Sequence, residues 1–304
     1  MAYEVAAEFE AQRGRLFGLA YRLLGSAEDA EDVVQDAYLR WQGVDRSSVR
    51  FASAWLAKVV TNLCLNRLAL ARVQREAYPG PWLPEPVLTE DGALGPLEQT
   101  AQRELVSFGL LVLMERLTPA ERAVFVLRES FGYGHGEIAQ LLGLSEANCR
   151  QVYRRAKTQV AGGRPRFAAR PDRWRDLVER FMAAARSGDL DALERMLAAD
   201  ATASADGGGR VTAARRAVVG RERVASYLAG AIARFGGEME TVVAEVNGEP
   251  AVLGLSGGAL AGVMVLEAAG DQIAAVRLVA NPGKLRFAAR QAAALSHPGP
   301  LAGS

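Results

Sequence analysis

Leu117–Val160 reads LTPAERAVFVLRESFGYGHGEIAQLLGLSEANCRQVYRRAKTQV. Thr118 stands where an N-cap belongs, Pro119 fits the first helical position, and Glu121 completes a capping box. Ala123–Leu127 then predict a mostly buried helix to about Phe131. The glycine-rich FGYGHGE interrupts the chain before a short helix expected over Glu137–Leu142. Gly143 supplies the left-handed residue that ends it, and Ser145 caps the next helix. A short helix, a tight glycine turn and a capped basic helix make the helix-turn-helix plan, whose second helix lies in the DNA major groove. The side chains predicted to face outward on that helix are Glu146, Asn148, Arg150, Gln151, Arg154, Arg155 and Lys157. Asn and Gln can grip adenine bidentately and Arg can grip guanine. Arg and Lys later in the helix suit phosphates.

Upstream, residues 1–76 read as a second all-helical unit. Phe9, Leu16, Phe17, Ala20, Leu23 and Leu24 fall at helical spacing, and Gly25 ends the run. Ser26 caps a helix whose apolar stripe is Val33, Val34, Ala37, Tyr38 and Trp41, with Asp32, Gln35, Asp36 and Arg40 off the stripe. A third helix is expected from about Ala52 to Glu76. Trp55, Leu56, Val59, Val60 and Leu63 form its buried side, and Asn62, Asn66, Arg67, Arg72 and Arg75 point elsewhere. Amides and guanidinium groups beside an exposed loop suit the edges and phosphates of single-stranded bases.

The charge is uneven. The 304 residues carry a formal net charge of +1, yet Ser145–Arg166 is strongly basic and Ala27–Asp36 holds only acids. A chain with one patch of each sign can face two different partners. Cys64 and Cys149 lack metal-ligand spacing, so neither a disulfide framework nor a metal site is expected. No signal peptide and no apolar run of membrane-spanning length is read, which makes a cytoplasmic protein the expectation.

Residues 77–100 form a linker with five of the chain's twelve prolines, which excludes helix over most of it. Tyr78, Trp82 and Leu83 are large apolar groups that a plain spacer does not need, so this linker is expected to dock on a neighbouring surface. The helix-turn-helix unit spans 101–162. Residues 170–290 read as an α+β domain: helices at Trp174–Ala185, at Gly188–Ala201 and at Arg221–Phe235, then strands over Glu240–Val246, Ala251–Leu255, Ala259–Leu266 and Ile273–Leu278. Asn247-Gly248 marks a hairpin turn. An antiparallel curved sheet covered by helices gives a cone-shaped fold. Residues 291–304 are expected to be a flexible tail.

Residues 1–160 resemble bacterial extracytoplasmic-function sigma factors. DAEDVVQDAYLRW (Asp29–Trp41) resembles the region-two helix that binds RNA polymerase core, which implies that Asp32, Gln35, Asp36 and Trp41 hold that enzyme. ASAWLAKVVTNLCLNRLALAR resembles the part that melts DNA and reads the edge of the bubble; Asn62, Asn66 and Arg67 match that region. LTPAERAVFVLRE and GEIAQLLGLSEANCRQVYRRAK resemble region four, which reads an upstream duplex element and implies DNA contacts from Asn148, Arg150, Gln151, Arg154, Arg155 and Lys157. The linker YPGPWLPEP resembles that of sigma factors carrying a C-terminal SnoaL-like domain. Two further motifs of that group match as DGGGR (Asp206, Gly207, Gly208, Gly209, Arg210) and NPGKL (Asn281, Pro282, Gly283, Lys284, Leu285). The resemblance implies that these motifs and Tyr78, Trp82, Leu83 and Pro84 make regulatory contacts, and that the fused domain sets activity in place of a separate anti-sigma factor. Arg210 and Gly283 depart from the group's usual Lys and acidic residue.

The implied partners are RNA polymerase core and promoter DNA, both as upstream duplex and as the single-stranded bubble edge. No catalytic residue, cofactor or membrane partner is expected. Three alternatives remain open from the sequence: a small ligand in the C-terminal pocket, a SnoaL-like enzyme or sensor merely positioned by a DNA-binding module, and a stand-alone helix-turn-helix repressor, in which the acidic Asp29–Asp36 face has no role. Asp206 and Glu267 are the candidate bases for the enzyme, and the domain body carries no His to partner them.

Overall fold

The computed structural model describes residues 2–45, 47, 49–89, 94, 105–161, 171–237 and 239–296. The expected helix start at Ala101 and the tail beyond Ser296 lie outside them. The chain divides into two compact units. One takes residues 1–77 and 92–164, and the other takes 78–91 with 165–304.

The first unit is all helical. It comprises α1 (Ala2–Leu24), α2 (Ala27–Gly43), α3 (Ala52–Glu76), α4 (Phe108–Met114), α5 (Pro119–Phe131), α6 (His135–Leu142) and α7 (Glu146–Ala161). The stripes read from the sequence close a core of Phe9, Ala20, Leu23, Val33, Leu56 and Val60, all fully buried. The Ser26 side chain accepts the Asp29 N–H at 3.1 Å and fixes the start of α2. Thr118 and Glu121 form the predicted capping box on α5. Gly132 and Gly143 end α5 and α6 in the left-handed region, with φ of 68° and 69°. Helix α6 starts two residues earlier than predicted. The Glu137 carboxylate accepts the Gly134 N–H at 2.6 Å, which closes the first turn without a capping side chain.

The second unit carries α8 (Pro171–Ser187), α9 (Leu190–Met196), β1 (Leu197–Asp206), β2 (Val218–Val219), α10 (Arg221–Phe235), β3 (Glu240–Val246), β4 (Glu249–Ser256), β5 (Ala259–Ala269), β6 (Gln272–Val279) and α11 (Pro282–Ser296). The sheet order is β2-β1-β6-β5-β4-β3. Phe181, Met182, Leu228, Met264, Leu266 and Val276 belong to the apolar core cluster between helices and sheet.

Three expectations are corrected. The helix begun at Asp189 stops at Met196, and Leu197–Asp206 is a strand. The sheet is not wholly antiparallel, because β1 runs parallel to β6. A helix and four strands intervene between those two, so no hairpin forces them to reverse. The residues assigned to a tail from 291 onward begin inside α11, which runs to Ser296. Pro282 starts that helix, and Leu285, Phe287 and Ala288 bury its inner side.

Candidate nucleic-acid interface and docked linker

Helix α7 buries Cys149, Val152, Ala156 and Val160. That stripe turns Asn148, Arg150, Gln151, Arg154, Arg155 and Lys157 outward, and all six are exposed. The Ser145 hydroxyl accepts the Asn148 N–H at 3.2 Å. Arg150 pairs with Glu146 one turn back, and Arg155 reaches Glu121 at 3.6 Å. The exposed Arg150–Glu146 pair is worth little, so phosphate can displace it. Lys157 lies 5.6 Å from the Tyr153 ring centre, and the Tyr153 hydroxyl bonds Glu129 on α5. The result is a stiff helix with a polar outer face.

In the three-helix bundle, Asp32 and Gln35 are exposed on α2, and Asn62 and Asn66 are exposed on α3. Arg67 does not stand free with the two asparagines. It donates to the Asp29 carbonyl at 2.6 Å and to the Asp36 carboxylate at 3.3 Å, bracing α3 against α2. Trp41 is corrected as a partner contact. It is 2% exposed and packs 5.4 Å from the Trp55 ring, because the stripe that places it beside Val34 and Ala37 is the buried one.

Sequence reasoning missed a buried ionic network in this unit. Glu115, the C-cap of α4, pairs with Arg75 of α3 and Arg122 of α5. Arg75 also donates to the Leu24 carbonyl at 2.8 Å and Arg122 to the Arg22 carbonyl at 3.3 Å. Burial lowers the Arg75 guanidinium below its ordinary value, offset by Glu115. An Arg at the end of a long basic helix gives no local sign of a buried partner forty residues on.

In the second unit the linker is docked. Leu83–Thr89 is buried throughout. Asp206, 1% exposed at the end of β1, gathers four donors. They are the Tyr78 hydroxyl at 2.5 Å, the Leu83 N–H at 2.9 Å, the Gly208 N–H at 3.0 Å and the Lys284 ammonium at 2.6 Å. Lys284 also donates to the Leu83 carbonyl at 2.5 Å, and it lies 4.0 Å from the Trp82 ring centre and 4.8 Å from that of Tyr78. The Asn281 amide donates to the Tyr78 hydroxyl at 2.8 Å. Burial, with the bond to Asp206 and that carboxylate's charge behind it, raises the Tyr78 hydroxyl above its ordinary value. The hydroxyl therefore stays a donor.

Farther along, Leu88 bridges antiparallel to Val246 of β3, and Gln291 of α11 bonds both the N–H and the carbonyl of Leu88 at 2.9 and 3.0 Å. Asn247 accepts the Val87 N–H at 3.0 Å. The two glycines after Gly207 have φ of 59° and 70°; a methyl on Gly208 would run into Asn281, and one on Gly209 would press Pro79 at 3.0 Å. The linker thus seats against DGGGR and NPGKL. Pro84 and Leu285 are buried there, Pro282 is exposed at the start of α11, and Arg210 points outward, away from the buried cluster. Of the two candidate bases, Asp206 is spent on the linker and Glu267 is held by Arg277 at 2.7 Å. Among the described residues, no group of His, Cys, Asp or Glu could hold a metal ion.

Two helical modules in order, the second a helix-turn-helix, are followed by a helix-and-sheet domain. Residues 9–73 match the model of Sigma-70 region 2 and residues 108–160 that of Sigma-70, region 4. The chain is 38% identical over 290 residues to the ECF RNA polymerase sigma factor SigJ of Mycobacterium tuberculosis, covering 91% of this chain and 92% of that protein. It is 32% identical over 288 residues to the probable ECF RNA polymerase sigma factor SigI of the same species, covering 92% and 94%. The crystal structure of SigJ matches with a TM-score of 0.74 at 35% identity, over 93% of this chain and 98% of that one. The chain belongs to the extracytoplasmic-function (ECF) RNA polymerase sigma factors.

Proposed function

We propose that this chain directs RNA polymerase core to specific promoters, and that its C-terminal domain sets how readily it does so. In this reading the acidic face of α2, with Asp32, Gln35 and Asp36, holds the core enzyme. Asn62 and Asn66 meet the single-stranded edge of the bubble, with Arg67 supporting them from its bonds to α2. Asn148, Gln151 and Arg150 read base edges of an upstream duplex, and Arg154, Arg155 and Lys157 hold phosphates. The work is binding rather than catalysis, carried out in the cytoplasm. Among the described residues no helix is long and apolar enough to cross a membrane.

The observation that carries the regulatory part is the gathering of Tyr78, Leu83 and Lys284 on one buried carboxylate. These bonds hold the very segment that joins the two sigma modules, so a domain that grips or releases it controls the chain available between them. SnoaL-like domain and linker together then do what a separate anti-sigma factor does elsewhere. Run-off transcription with purified core polymerase tests the proposal. Promoter-dependent transcript is expected from the full-length chain, and its complete absence across a panel of candidate promoters defeats the reading.

A further inference from the structure

Between DGGGR and the first turn of α10 the chain reads GGGRVTAARRAVVGRER, with Arg210, Arg215, Arg216, Arg221 and Arg223. This stretch forms the outer edge of the sheet, because β2 is the last strand in the order and pairs only with β1. Four of these arginines are exposed and Arg221 is half-buried. Two clefts open along the stretch. One, of about 290 Å³, is lined by Arg210 and Arg215 with the glycine turn. The other, of about 420 Å³, is lined by Arg221 and Arg223 beside Gly220.

These guanidinium groups make no ion pair and no side-chain hydrogen bond to any described residue of their unit. The Arg221 Nε is itself buried without a partner. Several arginines elsewhere are matched to acids: Arg67 to Asp36, Arg122 to Glu115, Arg277 to Glu267. Along this edge the nearby carboxylates are Glu222 and, on β1, the exposed Asp200, and neither pairs with an arginine.

We propose that this arginine edge binds the phosphate backbone of duplex DNA, as a contact additional to those of the two sigma modules. All the cations are Arg, whose planar fork matches phosphate oxygens two at a time. The edge presents no apolar centre of the kind a protein partner would anchor on; Val219 is its one large exposed apolar side chain. Unpaired cations in a row attract DNA through counterion release and carry no sequence preference. The proposal rests on the reading of the chain as a promoter binder.

The test is fluorescence anisotropy of the full chain with a random-sequence duplex, titrated across about 50 to 200 mM KCl. In R215Q/R216Q/R223Q the slope of log affinity against log salt is expected to fall by about two to three, near 0.9 for each phosphate that is no longer neutralised. R215K/R216K/R223K keeps the charge and is expected to retain most of the slope. Coincident thermal unfolding of the three proteins excludes a folding defect, since every substituted side chain is exposed. A slope unchanged in the Gln variant but lowered in R154Q/K157Q overturns binding at the edge and leaves the promoter reading standing. Slopes unchanged in both, or no measurable binding by the wild-type chain at the lowest salt, overturn binding at the edge, and the promoter reading is decided separately by run-off transcription with core polymerase. A Gln variant that binds DNA normally but associates more weakly with polymerase core assigns the edge to an acidic protein surface and sinks the proposal.

Discussion

Asp206 and Lys284 are each almost fully buried, yet they depend on each other unequally. Without Lys284 the carboxylate still accepts from Tyr78, Leu83 and Gly208. Without Asp206 the Leu83 N–H, the Gly208 N–H and the Tyr78 hydroxyl all lose their acceptor at once, and the ammonium loses this carboxylate. Removing one partner of a buried pair costs about 3–5 kcal/mol when the other is left unpaired. In urea unfolding of the C-terminal unit, D206A is therefore expected to approach that cost and K284M to fall clearly below it. Equal losses would mean that the donors do not converge on Asp206. Tyr78 adds a pH dependence. Its hydroxyl titrates higher in the folded protein than in the unfolded chain, so the folded state favours the protonated form. The stability this contributes is complete below the unfolded value, about 10. It is lost as the pH rises above that toward the folded value. Proteolytic cleavage within 77–89 is expected to accelerate above about pH 10, and Y78F is expected to be cut faster at neutral pH with that alkaline step gone. A step that persists in Y78F assigns it to another group.

At the scale of elements, the helix-turn-helix was legible because its boundaries are set by local chemistry. Thr118 and Glu121 form the capping box that the residue types announce, and Gly132 and Gly143 take the left-handed conformation that their positions require. T118A is expected to cost about 1 kcal/mol in thermal unfolding, the usual worth of a cap; no change would mean that packing alone holds the start of α5. Strand β1 was not legible. LAADATASAD is rich in alanine, carries little β-branched signal and continues a helical pattern, and only pairing with β6 and β2 makes it a strand. Helix α11 did leave a sign: proline at its first position before an alanine-rich run is a helix start. Site residues followed the same division. The outward face of α7 could be read from its period, whereas the roles of Trp41 and Arg67 depend on what α2 and α3 bury between them, which no single helix reveals.

For the whole molecule, what matters is which part of the chain the dock removes from use. Helix α3 ends at Glu76, residues 78–91 belong to the second unit, and the chain returns to the first unit at 92, so this short segment joins the two sigma modules. Held from Tyr78 to Thr89, that segment follows one fixed path, where a free chain of the same length could extend to about 40 Å at roughly 3.3–3.6 Å per residue. If the two modules engage separate promoter elements on one DNA, as proposed, they gain from a longer tether, and release is expected to favour the engaged form. The dock can be opened from either side: D206N/K284M removes the charges on the domain, and Y78F/W82A removes the groups on the linker that meet them. If both open the same equilibrium, they raise run-off transcript in the same direction, and coupling between distant sites of about 1–3 kcal/mol corresponds to roughly 5- to 150-fold. Cleavage within 77–89 reports opening independently of transcription. Variants that expose the linker to protease while transcript stays at the wild-type level would separate the dock from regulation, and opposite effects from the two sides would show that linker and domain do not act as one switch.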